Sequence, residues 1–246
     1  VCTLTLAWRV FEDAPVAVAA NRDELVDRPS EPPAAIEDDP RVVAPRDAEA
    51  GGTWIGYNEH GLLVAVTNRW VDADLAGDRS RGLLVRDALR HGSAEAAARF
   101  VEREAGDHEF DGFNLLLADA DAALLFEWDG SLRFSRLDPG VHVVVNVGAD
   151  GRFDVPDARP EAGGEQADNA RRVRTALTPE PGETAAAWLD RAGDVLGDHE
   201  YGVCVHGDGF GTRSSSLIAI GADGARYRFA DGPPCETAYR EVEGQI

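Results

Sequence analysis

Asn21-Arg22-Asp23-Glu24 follow directly on the apolar run Val16–Ala20, and Cys2 heads a second apolar run from Thr3 to Val10. The short link Glu12-Asp13-Ala14-Pro15 predicts a hairpin, which would bring Cys2 beside the polar cluster. A thiol beside an Asn, an Arg and two carboxylates is a set that can do nucleophilic chemistry. If the preceding residue is removed, Cys2 carries both a thiol and a free α-amine, and an amine with a pKa of roughly 7.7–8.0 can act as base for its own side chain. Val1 fits a valine-type start codon read as methionine, and removal is expected before a residue as small as Cys. On spacing alone the plainer reading stands beside this one: a small apolar residue opening a strand, since free cysteine is among the most often buried types.

The elements that must position these residues follow from periodicity. Arg28 to Pro40 is Pro-rich and acidic and reads as a surface loop; Gly51-Gly52-Thr53-Trp54-Ile55-Gly56 then enters the turn Tyr57–Gly61, and Leu62 to Thr67 reads as a buried strand ending on Asn68-Arg69. Ser80 is placed to cap a helix from Arg81 to His91, with Leu83, Leu84, Val85, Ala88 and Leu89 on its apolar face. Ser93 would cap another from Ala94 to Ala105. The period then becomes that of strands: Phe113–Ala118, Ala122–Trp128, Leu132–Ser135, and Val141–Val145 ending on Asn146. Gly148 to Gly164 reads as a loop. Helices are predicted over Gln166–Leu177 and Thr184–Val195, the latter with Ala187, Trp188, Ala192 and Val195 as its stripe. Gly202–Val205, Ser215–Ile220 and Ala225–Phe229 read as strands, with Gly207 to Arg213 a Gly-rich turn. Antiparallel strands in blocks, with helices in two pairs, predict a layered α+β fold.

Composition narrows the function classes. The 246 residues suit one large domain and carry 45 Asp plus Glu against 24 basic residues, every one of them Arg. Such a surface repels nucleic acid and anionic membranes and fits a salt-adapted intracellular protein. No basic leader and no run of ~20 apolar residues is present, which predicts a cytoplasmic protein without a membrane span. Cys2, Cys204 and Cys235 are odd in number and lack CxxC spacing, so neither a disulfide framework nor a zinc site is read. His60 and His206 read as structural or solvated, and no metal and no cofactor are expected. Gly207 to Gly211 lacks a following helix and a lysine, so it does not read as a phosphate loop.

Val1-Cys2-Thr3-Leu4, Ala20-Asn21-Arg22-Asp23-Glu24, Gly51-Gly52-Thr53-Trp54, Gly112-Phe113-Asn114-Leu115 and Gly211-Thr212-Arg213-Ser214-Ser215 resemble the ordered motifs of the NRDE, or transport-and-Golgi-organisation, family. That family resembles N-terminal-nucleophile hydrolases. The resemblance therefore implies a single domain, residues 1–246, forming a four-layer αββα sandwich of two antiparallel sheets. A finer likeness is to the penicillin V acylase and bile salt hydrolase group. Its nucleophile matches Cys2, its strand-end Asp matches Asp23, its two Asn residues match Asn68 and Asn146, and its late Arg matches Arg213. The group has Arg-Asn-Leu-Asp where this chain has Ala20-Asn21-Arg22-Asp23, so the arginine flanking the nucleophile is displaced by two positions.

The resemblance implies amide hydrolysis through an acyl-enzyme. Asn68 and Asn146 would be oxyanion donors, a single such donor being typically worth ~3–4 kcal/mol. Arg22 or Arg213 would lower the thiol pKa, and Asp23 would orient the α-amine. Asn21, Arg22, Glu24, Trp54, Arg69 and Trp70 are the candidate substrate contacts. The alternative, implied by the family's eukaryotic members, is a protein that binds haem, acyl-CoA or lipid without turnover. Either way the partner is a small molecule; the oligomeric state is not readable.

Overall fold

The computed structural model describes residues 2–246, so the expected removal of Val1 lies outside the described residues. In chain order the first strands are β1 (Thr3–Trp8), β2 (Val16–Leu25), β3 (Ser30–Asp38), β4 (Arg41–Asp47), β5 (Ile55–Asn58) and β6 (Leu63–Asn68). Helices α1 (Arg81–Ala88) and α2 (Ala94–Asp107) come next, then β7 (Phe113–Ala118), β8 (Ala123–Trp128), β9 (Leu132–Arg136) and β10 (Gly140–Val145). Short β11 (Gly148–Ala149) and β12 (Arg152–Phe153) lead to α3 (Pro160–Ala176) and α4 (Ala185–Gly197). A 3-10 turn (His199–Tyr201), β13 (Phe210–Gly221), β14 (Gly224–Ala230) and β15 (Arg240–Glu241) complete the chain.

These elements sort into two units, residues 2–28 with 139–242 and residues 29–138 with 243–246. The first holds an eight-stranded antiparallel sheet in the order β12-β11-β10-β1-β2-β13-β14-β15. Both of its faces are buried, with Leu4, Leu6, Val16 and Val18 on one and Val143 and Leu217 on the other. Helix α3 packs on β10, and α4 packs on β2 and β13. Trp188 on α4 is fully buried and donates its indole N–H to the Leu177 carbonyl at 2.9 Å, which satisfies a backbone acceptor at the end of α3. Thr184, expected as the first residue of the helix, instead caps α4, accepting from Ala187 N at 3.3 Å. Ala187 itself is exposed, and Ala185, Leu189 and Leu196 join Trp188, Ala192 and Val195 on the apolar face instead.

The second unit is a seven-stranded antiparallel meander, β3-β4-β5-β6-β7-β8-β9, its strands in chain order. Helices α1 and α2 cover it, and Leu62, Leu84, Val85, Leu89, Val101, Phe110, Phe113 and Trp128 are among its core residues. Two antiparallel sheets with helices make the fold α+β, as the sequence pattern implies.

Several boundaries differ from the sequence reading. Arg28 to Pro40 contains β3 rather than a loop. Pro32 and Pro33 are tolerated because β3 is an edge strand, and the register with β4 shifts across them, between Glu31 and Ala34. Part of Gly148 to Gly164 pairs as β11 and β12, and α3 begins early, at Pro160, where a proline in the first turn gives up no needed hydrogen bond. Helix α1 stops at Ala88, short of His91. Gly202–Val205 is not a strand, and β13 starts at Phe210, inside the stretch read as a turn.

Candidate active site

The expected hairpin is present: β1 pairs antiparallel with β2, Thr3 opposite Asn21 and Trp8 opposite Val16. Extending that register by one residue sets Cys2 across from Arg22, and Cys2 Sγ comes to 3.7 Å from the Asp23 carbonyl oxygen. Asn21 to Leu25 do not lie beyond the strand; they are its last residues, paired on the far side with β13. Consecutive strand residues face opposite ways, so Asn21 and Asp23 share one face of the sheet and Arg22 and Glu24 the other.

Asn146 follows directly on β10, the other neighbour of β1. Its amide oxygen accepts the Cys2 backbone N–H at 3.1 Å and the Gln166 side-chain N–H at 2.9 Å. The Cys2 nitrogen is thus held by a buried carboxamide that α3 holds in turn.

Across β2, the pairing with β13 carries a bulge. Thr212 is opposite Asp23 and Ser214 opposite Arg22, so Arg213 is the extra residue. A bulge twists the strand locally and re-aims the inserted side chain. The Arg213 Nε is buried with no hydrogen-bond partner among the described residues. Cys2, Asp23, Asn146 and Arg213 therefore gather at one end of four adjacent strands, β10-β1-β2-β13.

Asp23 is buried, and its Oδ1 accepts the Thr212 hydroxyl at 2.6 Å. Burial pushes its carboxyl up to about 6, against the pull of the Thr212 hydrogen bond and the Arg22 guanidinium. The thiol of Cys2 is also pushed up from its ordinary value by burial, and the Asp23 charge adds to this; Arg22 pulls the other way and is outweighed. Arg22 thus acts on this thiol in the expected direction, and burial outweighs it.

Asn21, an expected substrate contact, has its amide hydrogens committed within the protein. Its Nδ2 donates to the carbonyls of Leu196 at 2.9 Å and Val203 at 2.8 Å, so it ties β2 to the end of α4 and the turn beyond. Arg22 is buried with Glu24 3.9 Å from it, and Glu24 is partly exposed.

The remaining candidates belong to the second unit. Asn68 closes β6 opposite Phe113 and is exposed; Trp54 and Trp70 are half-buried. Arg69 is buried and donates to Asn114 Oδ1 at 3.1 Å and Glu127 Oε1 at 2.8 Å, while Asn114 donates to Thr67 Oγ1 at 3.1 Å. Gly112 belongs to the same construction, since a Cβ there would lie 2.4 Å from the Arg69 carbonyl oxygen. Asn58 closes the turn before β6, accepting from His60 N and Leu62 N and donating to the Leu89 and His91 carbonyls at the end of α1.

Sequence reasoning passed over two residues of the first unit's cluster. Thr212 lies beside Arg213 in a quoted motif, so its position was visible and its hydroxyl contact was not. Gln166 offered no signal beyond a place on a predicted helix.

This architecture is that of the N-terminal-nucleophile hydrolases. It is similar to penicillin V acylase from Agrobacterium tumefaciens, at TM-score 0.60 and 15% identity over 99% of this chain and 87% of that one. A Caenorhabditis elegans N-acylethanolamine-hydrolyzing acid amidase ortholog matches at TM-score 0.57 and 13% identity, over 89% of this chain and 92% of that one. The C2A mutant of conjugated bile acid hydrolase from Clostridium perfringens matches at 0.52 and 11%, over 100% and 94%. The chain belongs to the Transport and Golgi organisation 2 family, whose profile matches residues 1–154. The Mus musculus Transport and Golgi organization 2 homolog is 32% identical over 105 residues, 42% of this chain and 38% of that protein. The Homo sapiens homolog is 33% identical over 110 residues, 43% of this chain and 39% of that protein, so the match spans about two fifths of these curated relatives.

Among the described residues no helix is long and apolar enough to cross a membrane. An open groove of about 700 Å³ lies in the first unit between α4 and residues 234–239; none of the candidate residues lines it.

Proposed function

We propose that residues 1–246 act as one domain that hydrolyses a non-peptide C–N bond of a small amide through a thioester on Cys2. The observation that supports this most is the meeting of Cys2 with Asn146, Asp23 and the Arg213 bulge at one end of adjacent strands, in a fold shared with an acylase and an acid amidase. In this reading the Cys2 sulfur attacks the carbonyl carbon while the α-amine freed by loss of Val1 takes the thiol proton. That proton passes to the departing nitrogen as the C–N bond breaks, leaving the acyl group on sulfur. Water, deprotonated by the same amine, then cleaves the thioester and the proton returns to sulfur. Asn146 positions the Cys2 nitrogen with its oxygen and offers Nδ2 toward the oxyanion.

A second reading, a protein that binds an acyl or haem ligand without turning it over, draws on the raised pKa of the Cys2 thiol. One set of measurements separates the two. Intact mass spectrometry of the purified chain is expected to show Cys2 as the first residue, and a panel of acyl amides is expected to leave a trapped acyl adduct on it. Cys2→Ser and Asn146→Ala are expected to lose turnover. Absence of any adduct, with haem or acyl-CoA binding that survives Cys2→Ser, rejects the hydrolase.

A further inference from the structure

Outside the Cys2 cluster, His199, Cys204, His206 and Cys235 bring one donor atom each into a single group, all four atoms within 4.8 Å of one another. In sequence His206 reads as structural or solvated and the cysteines lack CxxC spacing, and 28 residues separate His206 from Cys235. The fold closes that gap. Cys204 Sγ is 3.5 Å from Cys235 Sγ, and His206 Nε2 is 3.1 Å from Cys235 Sγ and 3.7 Å from Cys204 Sγ. The rings of His199 and His206 meet edge to face, with centroids 5.2 Å apart.

We propose that this quartet is a structural zinc site of Cys2His2 type. Bonds of about 2.3 Å to sulfur and about 2.0 Å to nitrogen give a tetrahedron with edges of roughly 3.3–3.8 Å, so the donors already stand close to the arrangement the ion requires. Two thiolates and two imidazoles are the donor set that selects zinc among the common divalent ions. Binding balances as one Zn²⁺ taken up and two thiol protons released, with both imidazoles neutral. With four protein donors the site is closed, which assigns it to holding the chain rather than to chemistry on a substrate. A disulfide between Cys204 and Cys235 is the competing use of the two sulfurs, but it leaves the convergence of both imidazoles without a purpose.

The ion would pin the turn 199–206 to the segment after β14. That turn supports the polar strand end: the Val203 carbonyl accepts from Asn21 at 2.8 Å, and the Val205 amide donates to the Thr212 hydroxyl at 2.8 Å. Thr212 in turn donates to Asp23. Gly211 lets the turn seat on β13, since a Cβ there would lie 2.7 Å from the Val205 carbonyl oxygen. Zinc at the quartet thus acts as a clamp beneath Asn21 and Asp23, whatever Cys2 does.

The test uses the full chain without an affinity tag, reduced and then freed of metal with chelator. Titration with Co²⁺ is expected to give the thiolate charge-transfer band and the intense visible bands of a tetrahedral site, saturating near about one equivalent. Zn²⁺ is expected to displace the cobalt and raise the unfolding temperature. Cys235→Ser and His206→Ala change exposed residues and are expected to keep the fold, checked by circular dichroism, while weakening cobalt binding by more than about 100-fold, beyond the 10–100-fold that loss of an outer-sphere partner costs. Cys2→Ser is expected to bind cobalt as the parent does. A spectrum without thiolate character overturns the proposal, as does binding that survives Cys235→Ser. So does binding lost in Cys2→Ser, or a Cys204–Cys235 disulfide whose reduction leaves a chain that takes up no metal.

Discussion

Thr212 places one hydroxyl between two partners, donating to Asp23 Oδ1 at 2.6 Å and accepting the Val205 amide at 2.8 Å. A single oxygen thereby joins β13, β2 and the turn before β13, and it does so where burial leaves little water to take over either bond. Orientation of the Asp23 carboxylate and closure of the turn are one event in this construction.

Thr212→Val keeps the shape and removes both roles, leaving the half-buried Val205 amide without its acceptor. The expected loss is about 1–3 kcal/mol, seen as a lower urea midpoint. Thr212→Ser retains the hydroxyl and should recover most of it. Equal midpoints for the parent and the valine variant would show that the contact carries no stability.

Asp23 makes stability depend on pH in a direction opposite to that of most carboxylates. Its folded pKa, about 6, lies above the roughly 3.9 of an unfolded Asp, so between these values the folded chain binds the proton and the unfolded chain does not. The contribution is fully present below about pH 4 and is lost as pH rises through about 6, with a ceiling on the order of 3 kcal/mol. Other acidic groups titrate in the same range, so the measurement is a difference. From about pH 4.5 to 7.5 the parent is expected to lose stability relative to Asp23→Asn. A difference that stays flat over that range means Asp23 titrates normally.

The hairpin that joins Cys2 to Asn21–Glu24 was legible because both strands are apolar and the link between them is short. The cap Ser93 was legible because it is a side-chain acceptor standing just ahead of a helical apolar period, whereas Ser80, read in the same way, makes no side-chain cap bond. β3 was not, because Pro32-Pro33 argues against any strand unless it is known to lie at an edge. Side-chain destinations were the least visible part. Asn21 looks like a site residue in sequence, yet its amide hydrogens are committed to carbonyls 175 and 182 residues away. The Thr212–Asp23 bond spans 189 residues and depends on a bulge that no local pattern announces.

Gly112, in one of the family-like motifs, is required by packing rather than by chemistry. A Cβ there meets the Arg69 carbonyl oxygen at 2.4 Å, and that backbone cannot move without disturbing the Arg69 contacts to Asn114 and Glu127. Gly112→Ala is expected to destabilise by about 1–3 kcal/mol or more. Gly164 lies within α3 with nothing within 4 Å of its added Cβ, so Gly164→Ala should stabilise by about 0.5–1 kcal/mol. Chemical denaturation of the pair checks the opposite signs; a harmless Gly112→Ala would mean the close approach is relaxed in solution.

The three cysteines differ enough in surroundings for their alkylation order to report on the site. Cys235 is exposed, Cys2 is half-buried with a thiol raised by burial, and Cys204 is buried with its thiol pushed up to about 11. Because the thiolate is the reacting form, the raised thiols of Cys2 and Cys204 add to their lower access. In reduced, chelator-treated protein, iodoacetamide followed by peptide-resolved mass spectrometry is expected to label Cys235 first, Cys2 next and Cys204 last. This order sets the burial of Cys2 above the lowering of its thiol by Arg22 or Arg213 that the sequence resemblance implies. Added Zn²⁺ should then slow Cys235 and Cys204 together and leave Cys2 unchanged. If Cys2 is labelled first in chains whose terminus is Cys2 itself, loss of Val1 has activated the thiol, and the amine-as-base step gains direct support. If Cys2 stays slow in such chains as well, the thiol is held neutral by its surroundings, and binding without turnover becomes the better account of the site.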